Sequence, residues 1–190
     1  IAPGPAPVTA RAANQTASAT VWVQGATAGP TSFLHENPFP TGNDLYGGAI
    51  AAGAAFFVGG NATVLSRTAN DTWTRHYSTP ALTLRAIGGT SVDDAVAVGV
   101  SGNTGVLIEL KGASAAPAIS TFTTVEPRAL WFDGTTGMAV GYGNDVLVRR
   151  AGKWVKEYSP SVETLLSVVG DGSGGFVTLG NRGSIYRYDP

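Results

Sequence analysis

Residues equipped for chemistry are scarce in this chain, so their spacing carries the argument. Among 190 residues there are two histidines, His35 and His76, and no cysteine. Disulfides, thiolate metal sites and a cysteine nucleophile are therefore excluded. His35-Glu36 has the types for an acid–base or metal pair, but no second ligand follows at a suitable spacing. Both histidines sit in strand-like stretches beside prolines and aromatics, which reads as rim packing. A Ser-His-Asp nucleophile would want a Gly-x-Ser-x-Gly elbow, and none is present. Asp171-Gly172-Ser173-Gly174-Gly175 has the outline of a cation or phosphate loop. It lacks the alternating carboxylates of a calcium loop, and no helix follows to present amides to phosphate, so it reads as a turn between strands. Asp93-Asp94 reads as a solvated turn of the same kind. The expectation is a chain without metal, without cofactor and without enzymatic activity.

The elements that would position any site come from a repeat. Val-Gly or Leu-Gly closes a strand at Gly59, Gly99, Gly141 and Gly180, spaced 40, 42 and 39 residues apart. The strands after each turn begin at Val64, Val106, Val146 and Ile185, and a leucine is read as opening each unit at Leu45, Leu84, Leu130 and Leu166. Prolines precede those leucines at Pro40, Pro80, Pro127 and Pro160. Tryptophan starts the fourth strand at Trp73 and Trp154, with Ile119 to Phe122 taking that place in the middle unit. Each unit thus holds four short strands joined by Gly- and Asn-rich reversals, whose positive φ suits tight hairpins. The run from Gly134 to Tyr158 is the clearest case. Helical periodicity is absent, and Gly or Pro interrupts each candidate window.

Four strands in about 40 residues is the signature of a β-propeller blade. The expected fold is all-β: four-stranded antiparallel blades, either five in a ring or a section of a larger propeller of six to eight. Side-chain size is sorted in the same sense. Gly47, Gly48, Ala49, Ala86, Ala95, Ala97 and Ala139 fill first and second strands, while Trp22, Phe33, Trp73, Tyr77, Trp154, Tyr158, Tyr186 and Tyr188 load third and fourth strands. A wedge crowded at its axis and splayed at its rim would sort residues this way; a flat sandwich would not. The boundaries read as an extended lead over residues 1–17, then propeller repeats over 18–190. Those repeats divide into a partial blade at 19–37, blades at 44–79, 82–123 and 128–158, and a partial blade at 163–188.

Bulk composition limits partners. Only 13% of residues are charged and the net charge is −1, with three lysines against nine arginines. No basic surface for nucleic acid follows. Hydrophobic residues at 43% with 26 glycines fit a folded all-β chain rather than disorder. No apolar run approaches the 18 residues or more of a membrane span. The opening Ile-Ala-Pro-Gly-Pro-Ala-Pro resembles a linker or a processed end, so a segment upstream is expected.

The repeat resembles BNR or Asp-box propellers, and within them the photosystem II stability and assembly factor-like proteins and secreted bacterial repeat proteins. Asp93-Asp94-Ala95-Val96-Ala97-Val98-Gly99, its echo at Gly137 to Gly141, Gly105-Val106-Leu107 and the hairpin leading into Trp carry the likeness. One degenerate Asp box runs from Ser66 to Trp73: Ser66, Thr72 and Trp73 match, whereas Thr68 replaces Asp and Asn70 replaces Gly. The resemblance implies a rigid, often extracytoplasmic binding scaffold. Asp-box propellers also include sialidases, which resemble one another in an arginine cluster, a Tyr-Glu pair and an acid aspartate. This chain has arginines at 85, 128, 149, 150, 182 and 187 but lacks the Phe-Arg-Ile-Pro type motif.

One position varies where the repeat is otherwise constant, the residue after the strand-opening leucine: Tyr46, Arg85, Trp131 and Ser167. On a first strand, Tyr46, Arg85 and Trp131 would shape a channel rim suited to a peptide or a sugar, or would fill space between blades. The functional expectation is an extracytoplasmic scaffold binding a protein partner or further copies of itself. The alternatives are a carbohydrate-binding lectin and a sialidase-like hydrolase.

Overall fold

The computed structural model describes residues 4–12 and 15–23 as backbone, and residues 40–68, 70, 72–91, 93–111, 118–123, 125–143, 145–158 and 163–190. The chain divides into two units, Ile1–Phe39 and Pro40–Pro190. In the first, β1 (Gly4–Ala12) and β2 (Gln15–Val23) pair antiparallel with Pro5 opposite Trp22. The sequence reads residues 1–17 as an extended lead with one possible strand at Val8 to Ala12, and 19–37 as a partial blade of two strands, the Trp22 strand and Ser32 to His35. The structure instead gives that strand β1 as its neighbour, and Ser32 to His35 lie outside the described residues.

The second unit is a row of meanders. The first sheet is β3 (Leu45–Ala51), β4 (Ala54–Gly59), β5 (Val64–Arg67) and β6 (Trp73–Tyr77). The second is β7 (Thr83–Ser91), β8 (Asp94–Ser101), β9 (Thr104–Lys111) and β10 (Ala118–Phe122). The third is β11 (Glu126–Phe132), β12 (Gly137–Tyr142), β13 (Asp145–Arg150) and β14 (Lys153–Tyr158). The last has three described strands, β15 (Leu165–Gly170), β16 (Phe176–Gly180) and β17 (Ile185–Tyr188), with a single 3-10 turn at Asn181–Gly183. Turn chemistry explains the reversals: Gly53, Gly102, Gly143 and Gly152 all adopt positive φ.

Successive sheets stack through their early strands. β3 meets β7, β7 meets β11 and β11 meets β15, whereas the fourth strands β6, β10 and β14 contribute little between sheets. That asymmetry is the wedge. The core accordingly lies in three layers between sheets. Phe56, Val58 and Val64 pack on Leu84, Ala97 and Ile108 of the second sheet. Val96, Val98 and Leu107 pack on Phe132, Ala139 and Leu147 of the third. Met138, Val140 and Val146 pack on Leu165, Val168 and Phe176 of the last. Each buried Val, Leu, Ile, Phe or Met among these contributes roughly 1.5–3 kcal/mol, and alternation along the strands gives each inner sheet two apolar faces. Size sorting is looser than the sequence suggests. Phe56, Phe57, Trp131, Phe132 and Phe176 stand on first and second strands, and several reach outward to pair with rim rings, as in Phe57–Trp73 at 5.6 Å and Phe132–Trp154 at 6.0 Å.

The repeating glycines have a specific job. In each sheet the periodic glycine at or near the end of the second strand sits opposite a first-strand residue followed by a bulge: Leu45↔Gly59, Leu84↔Gly99, Pro127↔Gly141 and Leu165↔Gly180. A β-carbon on Gly59, Gly99 or Gly141 would stand on the carbonyl of Asp44, Thr83 or Glu126. Only glycine admits that approach, so the forty-residue rhythm marks a kink that recurs at the start of every first strand.

Candidate functional site

The residue left unpaired by each bulge is Tyr46, Arg85, Arg128 and Leu166 in turn. These four are equivalent in backbone and differ in side chain. The sequence alignment places Trp131 and Ser167 in this series. The structure displaces it by three residues in the third sheet and by one in the fourth, because Pro127 and Leu165, not Leu130 and Leu166, stand opposite the periodic glycines. Tyr46 and Arg85 keep their places.

Tyr46 is more than half exposed, and its hydroxyl donates to Asp44 Oδ2 at 3.4 Å. Arg85 reaches to the next sheet, where its guanidinium donates to Glu126 Oε1 at 3.1 Å. Arg128 approaches the same carboxylate oxygen at 3.5 Å and lies over the Tyr142 ring at 4.1 Å. One carboxylate thus stands between two guanidiniums, so this group of three side chains carries one excess positive charge. About a third of each of the three side chains is exposed. Trp131 is elsewhere: its indole lies against Gly170 of the last sheet and edge-on to Phe176 at 5.7 Å. A stacking face spent on a neighbouring sheet is not presented to a sugar. Tyr46, Arg85 and Trp131 therefore do not converge through any contact among the described residues.

The same edge carries a polar hollow between the first two sheets, lined by Asn43, Asp44, Gly60, Asn61, Leu82 and Thr83. Asn43 Nδ2 donates to Thr63 Oγ1 at 2.7 Å and Asn61 Nδ2 donates to Asn43 Oδ1 at 3.0 Å. Asn61, Ala62 and Ala81 hold positive φ of 51°, 44° and 69° without being glycine, a strain that the surrounding hydrogen bonds sustain. By repeat equivalence Asp44, Thr83 and Glu126 stand at one edge of their sheets, so the hollow and the Arg85–Glu126–Arg128 group share the strand-opening mouth.

At the opposite, turn edge the carboxylates serve the backbone. Asp171 Oδ1 accepts from Ser173 N at 2.7 Å, Ser173 Oγ at 2.8 Å and Gly175 N at 3.1 Å, which holds its pKa below the ordinary aspartate range. Asp133 is likewise lowered: burial acts against it, and hydrogen bonds from Thr135 and Thr136 outweigh burial. Among the described residues no three His, Asp or Glu side chains converge as metal ligands.

Two further groups have catalytic types. Ser66 Oγ and His76 Nε2 are 2.7 Å apart, and burial lowers the His76 pKa against the raising charge of Asp93. Ser66 is buried, so its hydroxyl does not meet solvent. Arg150, Glu157 and Tyr188 form a triangle in which Arg150 Nε donates to Glu157 Oε1 at 2.5 Å, Tyr188 donates to Glu157 Oε2 at 2.8 Å and Arg150 also donates to the Tyr188 oxygen. It joins the outermost strand of the third sheet to the last described strand of the fourth. Desolvation and the Glu157 hydrogen bond raise the Tyr188 pKa, the reverse of what a tyrosine nucleophile needs. Sequence reading missed this triangle because its members lie on three strands, with Glu157 and Tyr188 31 residues apart.

No protein-family model matches the chain, and no curated protein matches it. Solved structures do. The computationally designed Ika4 protein superposes with a TM-score of 0.60 at 10% identity over 78% of this chain and 92% of that one. The WD40 β-propeller domain of Doa1 gives 0.57 at 14% identity over 77% of this chain. YCF48 from Cyanidioschyzon merolae gives 0.56 at 17% identity, also over 77%. The fold is a β-propeller of four-stranded antiparallel blades. The chain spans about half the length of the latter two, 52% and 51%.

Proposed function

We propose that this chain is a non-enzymatic propeller scaffold that works outside the cytoplasm and binds an acidic, extended protein segment at its strand-opening mouth. One observation carries the reading. Four bulged positions are constant in backbone and read Tyr46, Arg85, Arg128 and Leu166 in side chain, each open to solvent to about a third or more. A structural position would repeat its chemistry; a recognition position varies it. Two guanidiniums around one carboxylate favour an incoming carboxylate, and Tyr46 and Tyr142 offer faces for the segment's apolar parts. Low charge, few lysines and Ser- and Thr-rich turns support the extracytoplasmic placement. The Asp-box character of the repeat belongs to the same proposal and rests on the Ser66 to Trp73 hairpin.

Fluorescence anisotropy with labelled Asp/Glu-rich and Lys-rich peptides tests the reading. The acidic peptide is expected to bind, and loss of one charge-assisted pair in Arg85→Ala or Arg128→Ala to weaken it about tenfold. Equal binding of both peptides, or no effect of either variant, would remove it. A glycan array with Trp131→Ala tests the lectin alternative, which nothing in the placement of Trp131 favours.

A further inference from the structure

The two end sheets of the unit 40–190 each expose apolar side chains at positions where equivalent side chains inside it are buried between sheets. On the last sheet, Leu179 is 45% exposed and Ile185 69%. Their equivalents are Val58 with Val64 and Val98 with Leu107, paired across the second and third strands as Leu179 is with Ile185, and Val140 with Val146 by place in the repeat. All six are buried between sheets, the first member of each pair at 0%. Val177 and Val169 extend the open patch. On the first sheet the opposite face is open. Ile50 is 83% exposed where its equivalent Phe132 is buried against the preceding sheet, and Leu45 is 39% exposed where Leu84 and Leu165 are buried.

We propose that these faces dock on each other between two copies of this chain, head to tail, the last sheet of one against the first sheet of the other. The complementarity is already realised three times within the chain. Phe56, Val58 and Val64 receive the face led by Leu84, and Val177, Leu179 and Ile185 repeat their positions for a face led by Leu45. Charge does not oppose the contact, since Arg187 beside the patch is paired with Asp189 at 2.9 Å. An interface between unlike faces closes into a ring when its rotation allows, and four sheets from each of two copies fall within the four to eight blades of known rings. Burying apolar surface of this extent supplies the association energy.

The inference does not depend on the peptide-binding mouth, and sedimentation velocity on the full chain tests it alone. The wild type is expected at twice the mass of one chain. Leu179→Glu, which spoils only the last face, and Ile50→Glu, which spoils only the first, are each expected as monomers. Their mixture is expected to recover an open dimer held by one intact junction, the last face of Ile50→Glu on the first face of Leu179→Glu, weaker than the wild type, and that recovery also shows that both are folded. A monomeric wild type would overturn the proposal, as would a dimer persisting in either variant alone or a mixture that stays monomeric.

Discussion

The carbonyl oxygen of Glu126 occupies the space that a β-carbon on Gly141 would need. The bulge at Arg128 therefore exists only because residue 141 is glycine. Gly141→Ala must push two strands apart in a packed sheet and is expected to cost about 1–3 kcal/mol, as overpacking does. Gly42, with nothing within 4 Å of its would-be β-carbon, is the control. Gly42→Ala is expected to be neutral or stabilising by up to about 1 kcal/mol. Urea midpoints of the two variants check both.

Glu126 compensates two guanidiniums at once. In Glu126→Gln, Arg85 and Arg128 face each other without it. Because about a third of each side chain is exposed, the stability loss is expected to stay near 1 kcal/mol or less. Salt screens the exposed repulsion, so the deficit measured by thermal unfolding should shrink as ionic strength rises.

Burial keeps the His76 pKa below its ordinary value. Between the lowered folded pKa and the unfolded value of 6.5 the unfolded chain holds more protons, so stability falls as pH drops through that window and levels off below it. His76→Gln is expected to flatten this part of the profile, with chemical-denaturation curves across mildly acidic pH as the readout. Asp133 and Asp171 act at lower pH. Their folded pKa values are depressed, so their stabilisation is complete above the unfolded aspartate range and is lost as pH falls below it.

Tyr188 ties the rim of the third sheet to the fourth through Glu157. Tyr188→Phe removes the hydrogen bond to Glu157 and the one accepted from Arg150, the second at an exposed side chain, with an expected loss of about 1–2 kcal/mol. Ultraviolet titration should show one tyrosine ionising above the ordinary tyrosine range in the wild type and missing from the variant. Peptide binding at the mouth should be unchanged.

Much of the fold was legible because turn chemistry is local. Gly59, Gly99, Gly141 and Gly180 announce the repeat, and Gly53, Gly102 and Gly152 their reversals, without reference to distant residues. The register of the first strands was not. Leu130 looks like a strand opener, yet Pro127 holds that place, because the bulge is fixed by the Glu126 carbonyl meeting Gly141, about fifteen residues away in sequence. Arg128 was missed as a rim residue for that reason, and Trp131 was misaligned onto it. Charge groups between sheets, such as Arg85 with Glu126, are 41 residues apart and carry no local signal.

The claim that the bulged residues form the recognition surface is tested most directly by backbone NMR shift mapping with the acidic peptide. The largest perturbations are expected at residues 44–47, 83–86, 126–129 and Tyr142. Shifts concentrated instead on the turn edge at Ala52, Gly134 and residues 171–175, or on the outer strands β6 and β14, would contradict it.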